Sequence, residues 1–107
     1  MSVKCDIKQY PSFNGKYAKW PKYKRDIIAL ASTHGLDNVF DPKFNVPVPS
    51  DPDFNIFQEK NRSVYSVFIS RVTGGLVLLV ICNFEDHKDG RGIYMKFRDI
   101  YECASNP

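Results

Sequence analysis

Two histidines, three cysteines and one acidic turn are the residues of this 107-residue chain that could do chemistry. His34 ends an apolar stretch just before Gly35, where a cation suits the last turn of a helix. No Cys, His or carboxylate stands at ligand spacing around it, so it reads as a capping or core-edge histidine and not as a metal ligand. His87 belongs to no motif. Cys5, Cys82 and Cys103 have no metal-type spacing. An odd, unclustered set reads as plain thiols in a reducing compartment, hence an intracellular protein, cytoplasmic or nuclear. Cys82 lies inside the apolar run 76–82 and reads as an inert core thiol, not a nucleophile. Glu85, Asp86 and Asp89 lack the glycine and distal glutamate of a calcium loop and read as a solvated acidic loop. Gly90-Arg91-Gly92 has no strand before it and no Gly-Lys-Ser/Thr after it, so it reads as tight-turn glycines and not a phosphate loop. No residue set supports nucleophilic or acid–base catalysis. The chain reads as non-enzymatic, with no catalytic residue, metal or cofactor.

Charge gives the other chemical signal. The formal net charge of +3 is unevenly spread. Residues 1–25 hold seven basic groups against Asp6 alone, a charge of +6, and the remainder holds eight basic and eleven acidic groups, a charge of −3. Lys16, Lys19, Lys22, Lys24 and Arg25 cluster at the head of the first helix. Such a basic region can contact nucleic acid, can meet the acidic loop Glu85, Asp86 and Asp89 of a neighbouring copy, or can be a solvated helix entry.

The elements that position these residues follow from apolar spacing. An apolar fraction of 43% and an aromatic fraction of 14% fit one folded domain. The central element is the stretch 54–72. Phe54, Phe57, Val64, Tyr65, Phe68, Ile69 and Val72 form one stripe on a 3.6-residue period, with Asn61 bridging two turns. Ser50 or Asp51 can cap this helix, Pro52 suits its first turn and Gly74-Gly75 ends it. An earlier helix is expected over 21–34, with Trp20, Tyr23, Ile27, Leu30, Ala31 and His34 as its stripe and Ile28 beside it. A last helix is expected over 91–103, carried by Ile93, Tyr94, Phe97, Ile100 and Tyr101. The run 76–82 has no polar face. Its valines and isoleucine favour strand, whereas its helical neighbours and the lack of a partner strand favour helix, which is the reading adopted; Thr73 can cap it. At seven residues the run is too short to span a bilayer. Lys4, Asp6 and Lys8 interrupt any leader-like apolar run. Val3, Cys5 and Ile7 alternate with polar residues as in an extended arm over 1–12, closed by Tyr10-Pro11. Residues 41–53 carry Pro42, Pro47, Pro49 and Pro52 and read as an extended segment, either a rigid connector or a partner-docking loop. The expected fold is all-α: an extended arm followed by a helical domain over 13–107, four to five short helices packed around the central one. Trp20, Phe57, Tyr65, Phe68, Tyr94, Phe97 and Tyr101 are its expected aromatic core.

Several of these residues, in this order, resemble the Gag polyproteins of copia-type LTR retrotransposons. The opening matches in Phe13-x-Gly15, then Trp20, Tyr23 and Lys24 at a helix head, then Gly35-Leu36-Asp37-Asn38-Val39-Phe40. The later part matches in the break Thr73-Gly74-Gly75, an apolar segment, and a helix from Gly90 to Tyr101, with Tyr94 at the family's Trp position and Phe97 at its Leu position. The likeness spans roughly residues 11–102, and its motifs are core aromatics. No zinc-knuckle spacing, which is the family's usual RNA-binding element, occurs among the 107 residues.

What the resemblance implies is an all-helical bundle like the N-terminal domain of a retroviral-type capsid. Such a domain would self-associate into an RNA-enclosing shell, in an active element or as a domesticated Gag. The expected partners are other copies of the chain, RNA, and a host protein or peptide, with no membrane. The alternative is a binding module, docking a peptide or host protein or holding nucleic acid directly through the basic N-terminal region.

Overall fold

The computed structural model describes residues 7–75 and 77–103. Among them are five α-helices: α1 (Trp20–Thr33), α2 (Asp37–Phe40), α3 (Phe54–Arg71), α4 (Val77–Cys82) and α5 (Gly90–Cys103). Short 3-10 turns cover Ile7–Gln9 and Tyr17–Lys19. Among the described residues the only sheet-like pairing is an isolated parallel bridge between Phe13 and Val72. The fold is an all-α bundle.

Helix α1 starts at Trp20, with Pro21 in its first turn, where a missing N–H costs nothing. It ends at a glycine because the chain must turn left-handed there. Gly35 has φ +74°, its N–H bonds to the Ser32 carbonyl at 3.2 Å, and Leu36 N–H reaches the Ala31 carbonyl at 2.8 Å. These two bonds satisfy the last helical carbonyls, and the fully buried Leu36 anchors the turn. Trp20, Tyr23, Ile27 and Ala31 form the buried stripe. Leu30 and Ile28 are packed at its margin.

Helices α3 and α5 lie side by side and run the same way. Gly90 sits where their backbones come closest; a Cβ there would meet Tyr65 N at 2.6 Å and Asn61 O at 2.7 Å. Further along, the rings of Phe68 and Phe97 meet edge-to-face at 5.3 Å. Trp20, Phe57, Tyr65, Phe68, Tyr94, Phe97 and Tyr101 are all buried. The α3 stripe differs from the expected one in three positions. Phe54, the first helical residue, is only half-buried and lies outside the core, and Ile69 is 51% exposed, whereas Val67 is buried. A central helix is covered on more than one side, so its buried arc extends to Val67 and leaves Ile69 outside. Its entry also differs: the N-cap is Asp53, without a side-chain cap bond, and the Asp51 carboxylate accepts the Asp53 N–H at 2.8 Å in the preceding turn.

The N-terminal stretch expected as an extended arm lies partly outside the described residues, Val3 and Cys5 included. Its described part is tied to the bundle. Phe13 N–H bonds to the Arg71 carbonyl at 2.9 Å and Thr73 N–H to the Phe13 carbonyl at 2.8 Å. Arg71 Nε donates to the Tyr10 carbonyl at 3.0 Å. The buried Tyr10 reaches His34 Nδ1 with its hydroxyl at 2.9 Å. Thr73 therefore does not cap α4; its hydroxyl donates back to the Phe13 carbonyl at 3.3 Å.

Residues Val77–Cys82 of the apolar run fold as helix α4, with only Val77 and Ile81 buried. Leu78 and Leu79 face solvent, and Leu79 is 66% exposed. Cys82 is exposed too, which corrects its reading as a core thiol. A six-residue helix lying on the bundle surface buries one i, i+4 pair, and a run without polar residues cannot signal which pair that is.

Candidate functional site

The basic residues gather where the head of α1 meets the C-terminal end of α5. Lys16 caps the 3-10 turn Tyr17–Lys19, Lys19 is its last residue, and both are exposed. Asn14 Oδ1 accepts the Lys16 N–H at 3.0 Å and sets that turn. Lys22 and Arg25 project from α1 and share Asp26, at 2.5 Å and 3.8 Å. The hydrogen bond from Lys22 holds the Asp26 carboxyl below its usual range. Both cations remain largely exposed, so these pairs are weak and open to exchange.

Lys24 is placed differently. Its Nζ lies 2.7 Å from Glu102 Oε2, and Trp20 Nε1 donates to the same oxygen at 3.1 Å. Arg98 stands 3.6 Å from the other carboxylate oxygen. Burial pushes the Glu102 carboxyl up, but the hydrogen bonds from Lys24 and Trp20 outweigh it and hold the group below its ordinary value. Lys24 thus joins α1 to α5 across 78 residues and is not a free contact cation.

Tyr17 stands at the solvent end of an aromatic ladder and is 57% exposed. Its ring meets the edge of Tyr101 at 4.8 Å. Tyr101 stacks on Trp20 at 5.2 Å and donates its hydroxyl to the Gly15 carbonyl at 2.7 Å. Phe13 stacks on Tyr23 at 4.6 Å behind them. Burial pushes the Tyr23 hydroxyl far above its ordinary value, against the pull of Arg71. An open groove of about 410 Å³ runs between Tyr17, Trp20, Pro21, Lys24, Tyr101 and Glu102.

The acidic loop lies at the other end of α5. Glu85 and Asp86 are exposed, but Asp89 is not a solvated carboxylate. Its Oδ1 accepts the Gly92 N–H at 3.0 Å and the Asn61 side-chain amide at 2.8 Å, while Asn61 Oδ1 accepts the Arg91 N–H at 2.7 Å. Asp89 and Asn61 together cap α5, with the negative charge at its positive end. The fourteen residues of α5 put about 20 Å between the basic cluster and the acidic loop, so the two do not meet within one molecule.

Sequence reasoning missed three side chains here. Arg91 donates through Nη1 to the Asn38 and Val39 carbonyls, at 3.0 and 3.4 Å, and through Nη2 to the Phe44 carbonyl at 3.3 Å. It closes the end of α2 and pins the start of the proline-rich segment. Its partners are backbone atoms some fifty residues away, which no side-chain pattern announces. Asn61 was legible only as a polar gap in an apolar stripe. Tyr17, an aromatic between two lysines in a turn, carried a readable signal.

The remaining chemical residues stand apart. His34 meets Tyr10, while His87 and Cys82 are exposed. Among the described residues no three His, Cys, Asp or Glu side chains group as metal ligands, and no helix is long and apolar enough to cross a membrane. Comparison with protein-family models, with curated proteins and with solved structures finds no match to this chain.

Proposed function

We propose that this chain is a non-enzymatic assembly domain: a Gag-like capsid domain whose copies associate through weak, repeated contacts into an RNA-enclosing shell. The observation that carries this reading is the meeting of the residues behind the copia-type Gag resemblance. Phe13, Trp20 and Tyr23 from the start of the chain, and Tyr94, Phe97 and Tyr101 from its end, make one aromatic cluster inside an all-helical bundle. The packing of these residues into one cluster is what supports the reading. The separation of charge supports the mode of association. The basic end of one copy can face Glu85 and Asp86 of the next, a head-to-tail contact of the kind that closes rings or extends sheets. Lattice-forming contacts of this sort are individually weak and gain from repetition.

Negative-stain electron microscopy of the concentrated protein tests the proposal. Rings, curved sheets or closed shells with a regular repeat are expected. An evenly dispersed preparation, without repeating particles at any concentration or salt, would move the reading to a binding module.

A further inference from the structure

We infer that the Tyr17 turn is a platform for single-stranded nucleic acid, on which Tyr17 stacks an unpaired base while Lys16, Lys19, Lys22 and Arg25 hold the flanking phosphates. This does not rest on the assembly reading, since a monomer could carry the same platform.

Three observations meet at this turn. First, Tyr17 is a large aromatic left more than half exposed, although the rest of its ladder is buried. Its contact with Tyr101 is edge-to-face at 67°, which fixes the ring without covering both faces. An exposed ring held by its neighbour is a stacking surface that needs little ordering on binding. Second, the two lysines that neighbour it in the chain are uncommitted, whereas Lys24 in the adjoining groove is held by Glu102. Lys16 and Lys19 stand on either side of Tyr17 in the chain and enter no ion pair with a described carboxylate. Lys22 and Arg25 share the single Asp26, so together they keep a net positive charge. Third, the groove beside the ring has a size suited to a small planar group, and its one carboxylate, Glu102, is already neutralised by Lys24.

One exposed aromatic ring between two lysines on one turn fits a polyanion with flat, unstacked faces. A duplex hides those faces. An acidic peptide would satisfy the lysines and leave Tyr17 idle. The recognition should be tolerant of sequence, because every base offers a π-face and no side chain here is arranged to read base edges.

Fluorescence anisotropy of the full 107-residue chain with a fluorescein-labelled oligouridine is the test. Affinity should fall steeply as salt rises. Tyr17→Ala should weaken binding about ten-fold, and Tyr17→Phe, which keeps the stacking face, should restore it. Lys16→Gln with Lys19→Gln should weaken binding and flatten the salt dependence by about two phosphates. All these positions are exposed, so thermal melts should match the wild type, and the lysine pair keeps the test decisive if Tyr17→Ala disturbs the Tyr101 packing. Wild-type levels of binding in both variants would overturn the proposal, as would tighter binding to duplex or to polyglutamate than to the single strand. Self-association measured without nucleic acid reports on the assembly reading separately.

Discussion

Replacement of Asn61 by alanine should destabilise the domain by about 2–4 kcal/mol, more than its single polar side chain on an apolar stripe suggests. Asn61 is 7% exposed and sits where α3 crosses the start of α5. Its amide donates to Asp89 at 2.8 Å and its carbonyl accepts the Arg91 N–H at 2.7 Å. Removing both leaves a helix-terminal N–H and a carboxylate short of a partner in a half-buried place. One such loss costs about 1–3 kcal/mol, and partial access of water to Asp89 trims the sum. For a domain of this size that is a fall in Tm of roughly 10–25 °C. The aspartate variant separates hydrogen bonding from packing. Asn61→Asp keeps the shape and the acceptor for Arg91 but sets a second carboxylate against Asp89. It should be unstable at neutral pH and recover as acid protonates one of the pair. Urea unfolding followed by circular dichroism at neutral and mildly acid pH reads both effects. A loss below about 0.5 kcal/mol in Asn61→Ala, the level of an ordinary surface substitution, would refute the capping role, as would a pH-independent Asn61→Asp.

Other outcomes follow from the same geometry. Gly90→Ala should cost at least 1–3 kcal/mol or so in chemical unfolding, because the new Cβ would meet the α3 backbone at 2.6 Å; unchanged stability would mean that α3 and α5 are further apart than described. The Glu102 carboxyl is held below its ordinary value, so the native state favours its charged form. Its contribution is present above the unfolded pKa and is lost as pH falls through the folded one. Acid unfolding should therefore begin at a higher pH in wild type than in a Glu102→Gln variant compared with its own neutral stability, and parallel acid limbs would count against the Lys24–Glu102–Trp20 link. Cys82 should react with a maleimide in the native state, as peptide mapping by mass spectrometry would register; modification only after denaturation would return it to the core.

Much of the bundle was legible because apolar residues recur at helical spacing. The 3.6-residue period gave α3 and α5, and Gly35 with Pro21 bounded α1 to within one residue at each end. Legibility failed where the signal is not periodic. In α4 every residue is apolar, so nothing marked Val77 and Ile81 as the inward pair or Cys82 as outward. The edges of the α3 stripe depended on how many neighbours cover it, which changed the roles of Val67 and Ile69. In the basic cluster, residue type was readable but commitment was not. Lys24 is taken up by Glu102 near the other end of the chain, and Asp89 by Asn61 and the start of α5. Both pairings are made by the tertiary fold. What remains exposed on the basic face is Lys16 and Lys19, either side of an exposed Tyr17 in the chain, and Lys22 and Arg25, which share Asp26.

Sedimentation velocity on the nuclease-treated chain, over a concentration series from micromolar to millimolar, reads self-association of the copies. The weight-average sedimentation coefficient should rise reversibly with concentration and fall back towards the monomer in high salt, as charge-guided head-to-tail contacts are screened. A single monomeric boundary across the whole series, in protein that is folded by circular dichroism, would contradict the assembly reading.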